Sequence, residues 1–135
     1  MSGHWEELRA EFDGAAYSKF LDMRVVELNP GYSKIGMIVP RFGSDWSGAV
    51  HRGVIVSLAD QAFGTATNTL DPRYHYVAVQ FGITFVGETR EGEYLTAAAR
   101  VVHLGEGRGS TDILVHGADG RLVAKASGVV LAIPK

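Results

Sequence analysis

The fold of this chain is decided by residues 48–64, which read Gly48-Ala49-Val50-His51-Arg52-Gly53-Val54-Ile55-Val56-Ser57-Leu58-Ala59-Asp60-Gln61-Ala62-Phe63-Gly64. A polar, turn-rich approach leads into an apolar run. Its hydrophobic residues recur with the period of one α-helical face: Ile55, Leu58, Ala59, Ala62, Phe63 and Ala66. Asp60 interrupts this run, and an ionised carboxylate among apolar neighbours needs water, a partner or a function. The pattern therefore predicts a long apolar helix that carries a candidate functional acid.

Composition narrows the class of protein. Of the 135 residues, 46% are hydrophobic, which is enough for one domain with its own core, expected over residues 1–135. The net charge of −2 argues against a strongly electrostatic nucleic-acid or membrane-surface partner. The absence of Cys excludes disulfides, thiol nucleophiles and thiolate metal ligands, and the His spacing suggests no metal. With no signal-peptide pattern and no apolar run of the roughly 20 residues that span a bilayer, we expect a cytoplasmic protein.

The first half of the chain is predicted to flank the central helix. Residues 1–20 should form a covering helix that is weakened at Gly14 and followed by a second turn. Residues 22–39 are typical of strand, turn and strand. Residues 40–53 form a loop with an exposed Trp46, and loops of this length are often binding or lid elements. The central helix is predicted from about Val54 to Leu70.

Strands fill the second half. The predicted strands cover residues 76–86, 93–103, 110–116 and 122–133 and are joined by short turns, with a bulge suggested at Gly82. A long apolar helix must be buried against another layer. We therefore predict an α+β fold in which a curved antiparallel sheet of about six strands wraps around one long central helix. Plain helix-on-sheet packing is the alternative.

Several motifs in this order resemble the hotdog fold and, within it, the phenylacetate-pathway (PaaI-type) thioesterases. The motifs are Tyr17-Ser18-Lys19-Phe20-Leu21-Asp22-Met23-Arg24-Val25-Val26-Glu27-Leu28, Gly48-Ala49-Val50-His51-Arg52-Gly53, Ser57-Leu58-Ala59-Asp60-Gln61-Ala62-Phe63-Gly64, Ile83-Thr84-Phe85-Val86, and Leu95-Thr96-Ala97-Ala98-Ala99-Arg100-Val101-Val102-His103. The central stretch is similar to the family's His-Gly-Gly, six residues and Asp. The match extends from Tyr17 to near the end of the chain.

The resemblance implies hydrolysis of an acyl-CoA thioester, with a small aromatic or phenylacetyl-type acyl group, at a site between two subunits. It implies a homodimer whose sheets run continuously, and two such dimers often form a homotetramer. The carboxylate would come from the central helix of one subunit, and a backbone N–H at the helix N-terminus of the other would polarise the carbonyl. No separate cofactor is implied, because CoA is part of the substrate.

The same resemblance assigns catalytic candidates. Asp60 would act as general base for water or as nucleophile; otherwise it is an acid satisfied by backbone or by Gln61. His51 could hydrogen-bond the carbonyl or order the loop. Arg52 stands where the family has Gly. Its backbone N–H can still serve as an oxyanion donor unless the position needs positive φ, and its side chain could contact a CoA phosphate. Gly53 matches the second family Gly and should permit close packing of loop and helix.

Two further candidates depend on departures from the family pattern. Relatives often carry Asn at the position of Asp45, where it positions substrate or water. Close approach of Asp45 and Asp60 would raise an apparent pKa of the pair. Some relatives place Ser or Thr at the position of Ala78, and Gln80 could substitute for it if a regular strand puts both on one face.

The remaining candidates would bind the rest of the substrate. Asn68 lies about two turns beyond Asp60 on the helix, and Thr84 and Phe85 could line the channel for the pantetheine arm. For the nucleotide phosphates the candidates are turn arginines, with Arg108 between two glycines foremost and Arg90 and Arg73 behind it.

Two other functions stay open. A non-catalytic acyl-CoA-binding hotdog protein is suggested by Arg52, Asp45 and Ala78. A hydratase of this fold usually pairs Asp and His about five residues apart, whereas His51 and Asp60 are nine apart in this sequence.

Overall fold

The computed structural model describes residues 2–135, and the elements in this range are three α-helices, one 3-10 helix and six β-strands. The helices are α1 (Ser2–Gly14), α2 (Ala16–Leu21) and α3 (Arg52–Asn68), with the 3-10 helix at Arg41–Gly43. The strands are β1 (Arg24–Asn29), β2 (Tyr32–Ile38), β3 (Tyr74–Phe85), β4 (Tyr94–Gly105), β5 (Arg108–Gly117) and β6 (Leu122–Pro134). Within residues 2–135, none of the helices combines the length and hydrophobicity needed to traverse a bilayer.

The six strands form one antiparallel sheet in the order β1-β2-β4-β5-β6-β3. The predicted six-stranded sheet with one long helix is confirmed. The expectation that the last four strands follow one another through short turns is wrong for β3 and β4, which are not neighbours. The reason is the connection over residues 86–93, which is longer than a hairpin turn and so does not oblige the strands it joins to pair.

Helix α3 lies against one face of this sheet and is the centre of the core. Its buried face is formed by small and large residues in alternation, with Leu58, Ala59, Ala62 and Ala66 fully buried and Phe63 1% exposed. The facing strand positions are also small in places, for example Ala97 and Ala99. Alanines on both sides let backbones approach closely, so the sheet can wrap around the helix.

A bulge bends β3, but not at the predicted place. Ala78 pairs with Val130 and Gln80 with Val129, so Val79 is the extra residue, whereas Gly82 pairs regularly with Ser127. The bend lies beside the point where the Phe63 ring presses on the sheet, since a Cβ on Gly128 would come within 2.6 Å of that ring. The bulge therefore lies at Val79, next to the position where the lack of a side chain on Gly128 makes room for the Phe63 ring.

The two edges of the sheet differ. At the β1 edge, the Arg9 guanidinium of α1 donates to the Val25 carbonyl (2.8 Å), and the Val25 N–H donates to the Asp13 carboxylate (2.9 Å). At the β3 edge, the strand pairs with β6 on one side only, and Val77 and Val79 are 44% and 54% exposed. One edge is thus occupied by a helix of the same chain and the other is open.

Candidate active site

The N-terminus of α3 is organised by His51. Its backbone is extended (φ −61°, ψ 130°), and its Nδ1 accepts a hydrogen bond from the Gly53 N–H at 2.9 Å, which makes it the N-cap. Because Nδ1 accepts, the neutral imidazole carries its proton on Nε2. His51 therefore orders the loop through one ring nitrogen and presents a donor at the other. The helix consequently begins at Arg52, two residues before the predicted start.

Gly53 is required by this cap. A Cβ at Gly53 would lie 2.9 Å from His51 Nδ1, closer than a carbon atom can approach without displacing the ring. This contact is the close approach that Gly53 allows at the start of the helix.

Arg52 fits its position without strain. It is the first residue of α3, and within residues 2–135 the only non-glycine residues with positive φ are Asp22 and Glu106. Its N–H points out of the first helical turn and finds no acceptor among the described residues. Its guanidinium lies over the Phe85 ring, 5.2 Å from the centroid.

A cavity of about 610 Å³ opens in front of this helix end. It is lined by the loop before α3, by Ile55 and by the segment after β3, and it brings together Asp45, His51, Arg52 and Phe85 from the predicted candidates. The wall at residues 86–89 was not predicted, because the sequence pattern indicated the end of a strand at Val86 and a turn after it. Its one sequence signal is Gly87, where a Cβ would lie 2.8 Å from the Leu122 carbonyl oxygen.

The Asp45 carboxylate is committed to its own loop. Oδ1 accepts from the Ser47 N–H (2.8 Å), the Ser47 hydroxyl (2.7 Å) and the Ala49 N–H (3.2 Å). These hydrogen bonds, led by the one from the Ser47 side chain, lower the pKa of Asp45. Residues 40–53 are therefore not a structureless loop, and they also contain the 3-10 helix and a bridge between Ser44 and Val50.

Asp60 lies elsewhere on α3. It is exposed in the single chain and is absent from the cavity lining, about 12 Å along the helix from Arg52. Its apolar sequence neighbours face the sheet, so the expected apolar surroundings are wrong for the carboxylate itself. The surrounding chain still displaces enough water to raise the pKa of Asp60.

Neither expected partner of Asp60 is found within the chain. Desolvation alone raises the pKa of Asp60, whereas hydrogen bonds lower that of Asp45, so the two carboxylates are not a coupled pair within one subunit. Gln61 does not satisfy Asp60, because its amide donates to the Ser18 hydroxyl at 2.8 Å.

Three other predicted binding residues lie outside the cavity lining. Asn68 ties the end of α3, since its side-chain amide donates to the Gly64 carbonyl at 2.7 Å. Gln80 and Thr84 are exposed on the sheet face opposite to Phe81, which packs on the core. The premise that Gln80 shares a face with Ala78 is wrong, because the bulge at Val79 shifts the alternation by one residue.

The predicted phosphate-binding arginines are spread over the surface. Arg108 is the first residue of β5, and the turn itself is made by residues 106–107. Arg73 is ion-paired to Asp71 at 2.6 Å, which lowers the pKa of Asp71 to about 2. Neither these arginines nor Arg90 lines the cavity, where Arg52 is the arginine present.

Comparison with known proteins identifies the family. The thioesterase superfamily matches residues 47–124, more than half of the chain. A curated protein of Archaeoglobus fulgidus is 33% identical over 115 residues, 85% of this chain and 73% of its own. Acyl-coenzyme A thioesterase PaaI of Escherichia coli K12 is 29% identical over 124 residues, 92% of this chain and 87% of its own. The solved structure of E. coli PaaI, from the phenylacetic acid degradation operon, has a TM-score of 0.89 at 28% identity and covers 96% of this chain and 93% of its own. The chain therefore belongs to the thioesterase superfamily, as a hotdog-fold enzyme similar to PaaI.

Proposed function

We propose that the protein hydrolyses acyl-CoA thioesters at a site formed by two copies of the chain. An oxygen nucleophile attacks the carbonyl carbon, the carbon–sulfur bond breaks, and the acid and the CoA thiol are released. Asp60 acts in one of two ways. It takes the proton from the attacking water, or its carboxylate attacks the carbonyl carbon directly and water then hydrolyses the resulting anhydride. The Arg52 N–H and the His51 Nε2–H donate to the carbonyl oxygen as negative charge develops on it.

One observation carries this proposal: the donors and the acid are on one helix but do not meet. Arg52 lines the cavity and its N–H has no partner among the described residues, whereas Asp60 lies two turns further on, outside the lining. A reacting carbon must lie about 3 Å from the nucleophile, with its oxygen in reach of the donors. A single chain does not provide this geometry, and a second copy that presents its own Asp60 to the cavity would.

The open β3 edge supports the assembly. An unpaired strand with exposed valines is a surface that a second copy can extend by antiparallel pairing. We propose a homodimer that joins through β3, with two sites related by its twofold axis. Pairing of two such dimers into a tetramer is part of the same proposal.

The acyl group is proposed to be aromatic. The cavity has a Phe85 wall and a Trp46 rim, and the E. coli relative is named as an acyl-coenzyme A thioesterase. A panel of phenylacetyl-, benzoyl-, hexanoyl- and acetyl-CoA, followed by release of free thiol, should give the highest kcat/KM for the aromatic esters.

The donor can be removed with little cost to the fold. Arg52 is the first helical residue, where proline is well tolerated, and the extended backbone of His51 suits a residue that precedes proline. Arg52→Pro should lower kcat by roughly 10²- to 10³-fold relative to Arg52→Ala, which keeps the N–H and loses the same side chain. Equal thermal unfolding of the two variants is the control. Equal turnover in both would refute the donor role.

Mixed dimers test the shared site. Arg52→Pro and Asp60→Asn homodimers should both be inactive, while co-expressed mixed dimers should regain activity because one of their two sites has an intact donor and an intact acid. No recovery in purified mixed dimers would mean that both groups act from the same chain. If calorimetry shows that the wild-type protein binds CoA esters but does not hydrolyse them, the non-catalytic alternative is favoured. That alternative was suggested in part by Arg52 in place of Gly, and the unstrained backbone of Arg52 weakens this argument.

A further inference from the structure

The tip of the loop before α3 is a closed, self-bonded unit. The Asp45 N–H donates to the Ala49 carbonyl at 2.7 Å, and the Gly48 N–H donates to the Asp45 carbonyl at 3.1 Å. The Asp45 carboxylate accepts hydrogen bonds from the N–H groups of Ser47 and Ala49. Gly48 adopts φ +87°, which glycine tolerates without strain. The tip is therefore held together by hydrogen bonds within residues 45–49.

Trp46 is held at the apex of this unit. It is 97% exposed, the highest value among the exposed large hydrophobic residues of the described chain. Single exposed apolar residues are common and need no explanation by themselves. Trp46 differs because it also lines the cavity in front of α3. A hydrogen-bonded turn thus places a large, exposed aromatic side chain at the cavity.

The rest of the cavity lining adds apolar and planar surface. Phe85, Ile55 and Val86 also line the cavity, and the Arg52 guanidinium lies over the Phe85 ring. The cavity volume of about 610 Å³ is within the range of small-molecule sites. An aromatic ring of a ligand can stack in an offset arrangement on an exposed indole at such a site.

We propose that Trp46 is a substrate-contacting residue whose indole stacks on a planar aromatic group of the bound thioester. This rests on the proposed function, because it needs an acyl-CoA ligand in the cavity. Two parts of that ligand are planar aromatic groups that can stack on the indole: an aryl ring in the acyl group and the adenine of CoA.

The test measures binding by calorimetry in the Asp60→Asn background, so that the thioester is not consumed. Three probes separate the two sources: phenylacetyl-CoA, free CoA, and phenylacetyl-pantetheine. Trp46→Ala should weaken phenylacetyl-CoA binding by roughly 5- to 150-fold, the usual loss for one stacked ring. The matched control is Phe42→Ala, which removes an aromatic residue that is 60% exposed in the same connection but outside the cavity lining.

Each outcome decides the proposal. If Trp46→Ala also weakens phenylacetyl-pantetheine, the partner is the aryl ring; if it weakens free CoA instead, the partner is adenine. Quenching of tryptophan fluorescence by the same probe, lost in Trp46→Phe although Trp5 remains, would support either arm. If Trp46→Ala binds all three probes as Phe42→Ala does, the inference is wrong while the proposed function stands. If the parent protein binds none of the probes, the proposed function fails and the inference with it.

Discussion

Asp60 combines an exposed position with a raised pKa. Burial of part of the carboxylate by the surrounding chain is the cause, and no ion pair within the described residues opposes it. A carboxylate of raised pKa is a better base than an ordinary one once it is ionised. In the proposed dimer, the partner's surface would shield it further.

This gives a first prediction. Because Asp60 must be ionised to act, kcat/KM should rise with pH through a pKa above that of an ordinary aspartate and then level off. Asp60→Asn should lower kcat by roughly 10²- to 10⁴-fold. The pH–rate profile of the wild-type enzyme, measured at saturating and at low phenylacetyl-CoA, checks the first point. A profile flat from about pH 4 upwards would contradict it.

A second prediction concerns stability and uses two aspartates, Asp60 and Asp71, whose pKa values are shifted in opposite directions. The pKa of Asp60 is raised in the folded chain, so its ionisation disfavours folding as pH rises through that pKa, and Asp60→Asn should raise the unfolding temperature at pH 7 but not in acid. The pKa of Asp71 is lowered to about 2 by Arg73, so its stabilisation is present above the unfolded pKa and is lost as pH falls towards about 2. Asp71→Asn should therefore lower the unfolding temperature at pH 7. Shifts of the same sign in both variants would refute this assignment.

At the scale of the element, the first turn of α3 depends on a histidine cap. His51 satisfies the Gly53 N–H with Nδ1, a function that Asn also performs at this position. The same residue lines the cavity and carries an Nε2–H donor, which Asn does not reproduce. One side chain thus contributes to both stability and the proposed chemistry, and two substitutions can separate these contributions.

His51→Ala should cost about 1 kcal/mol in the free energy of unfolding, whereas His51→Asn should cost much less because the cap is kept. Turnover should fall in both variants if Nε2–H contacts the carbonyl oxygen. Urea unfolding gives the stability and thiol release gives kcat. Wild-type kcat in His51→Asn would restrict the role of His51 to the cap.

Some features of the helices and strands could be predicted from the sequence pattern and others could not. The apolar period of α3 and the strand, turn and strand over residues 22–39 depend on local sequence, and both predictions are confirmed. The start of α3 was placed two residues late, because a histidine cap is not among the common N-cap signals. The bulge was assigned to Gly82 from local sequence, whereas it lies at Val79, next to the contact of Phe63 with Gly128. That contact is between elements distant in sequence.

At the scale of the whole molecule, the assembly can be tested through β3. Val77→Lys with Val79→Lys places charge on the open edge and should shift the protein from dimer to monomer. Because the proposed site needs two chains, specific activity should then depend on protein concentration. Sedimentation and activity over the same dilution series check this. Val102→Lys, a substitution at a 54% exposed valine on an interior strand, should retain the dimer.

In the candidate site, too, the features that depend on neighbouring residues were predicted and those that depend on long-range packing were not. His51, Arg52 and Gly53 are adjacent in sequence and were predicted together. The cavity wall at residues 86–89 and the separation of Asp60 from the donors depend on strand order and on helix orientation. Those features are set by packing of the whole chain, and the short spacing between His51 and Asp60 could not reveal them.

The two hydrogen bonds that Val25 makes with α1, accepting from Arg9 and donating to Asp13, have a consequence for the number of chains that can join. A sheet with two free edges can polymerise without limit, since each added copy presents a new edge. Here α1 already binds the outward N–H and C=O of Val25 on β1, whereas the outer edge of β3 pairs with no strand among residues 2–135, so pairing is expected at β3. Once two β3 strands have met, the continuous sheet ends in a helix-protected strand on each side. In the proposed dimer, edge-to-edge association through β3 therefore stops at two chains, which disfavours growth into a fibre.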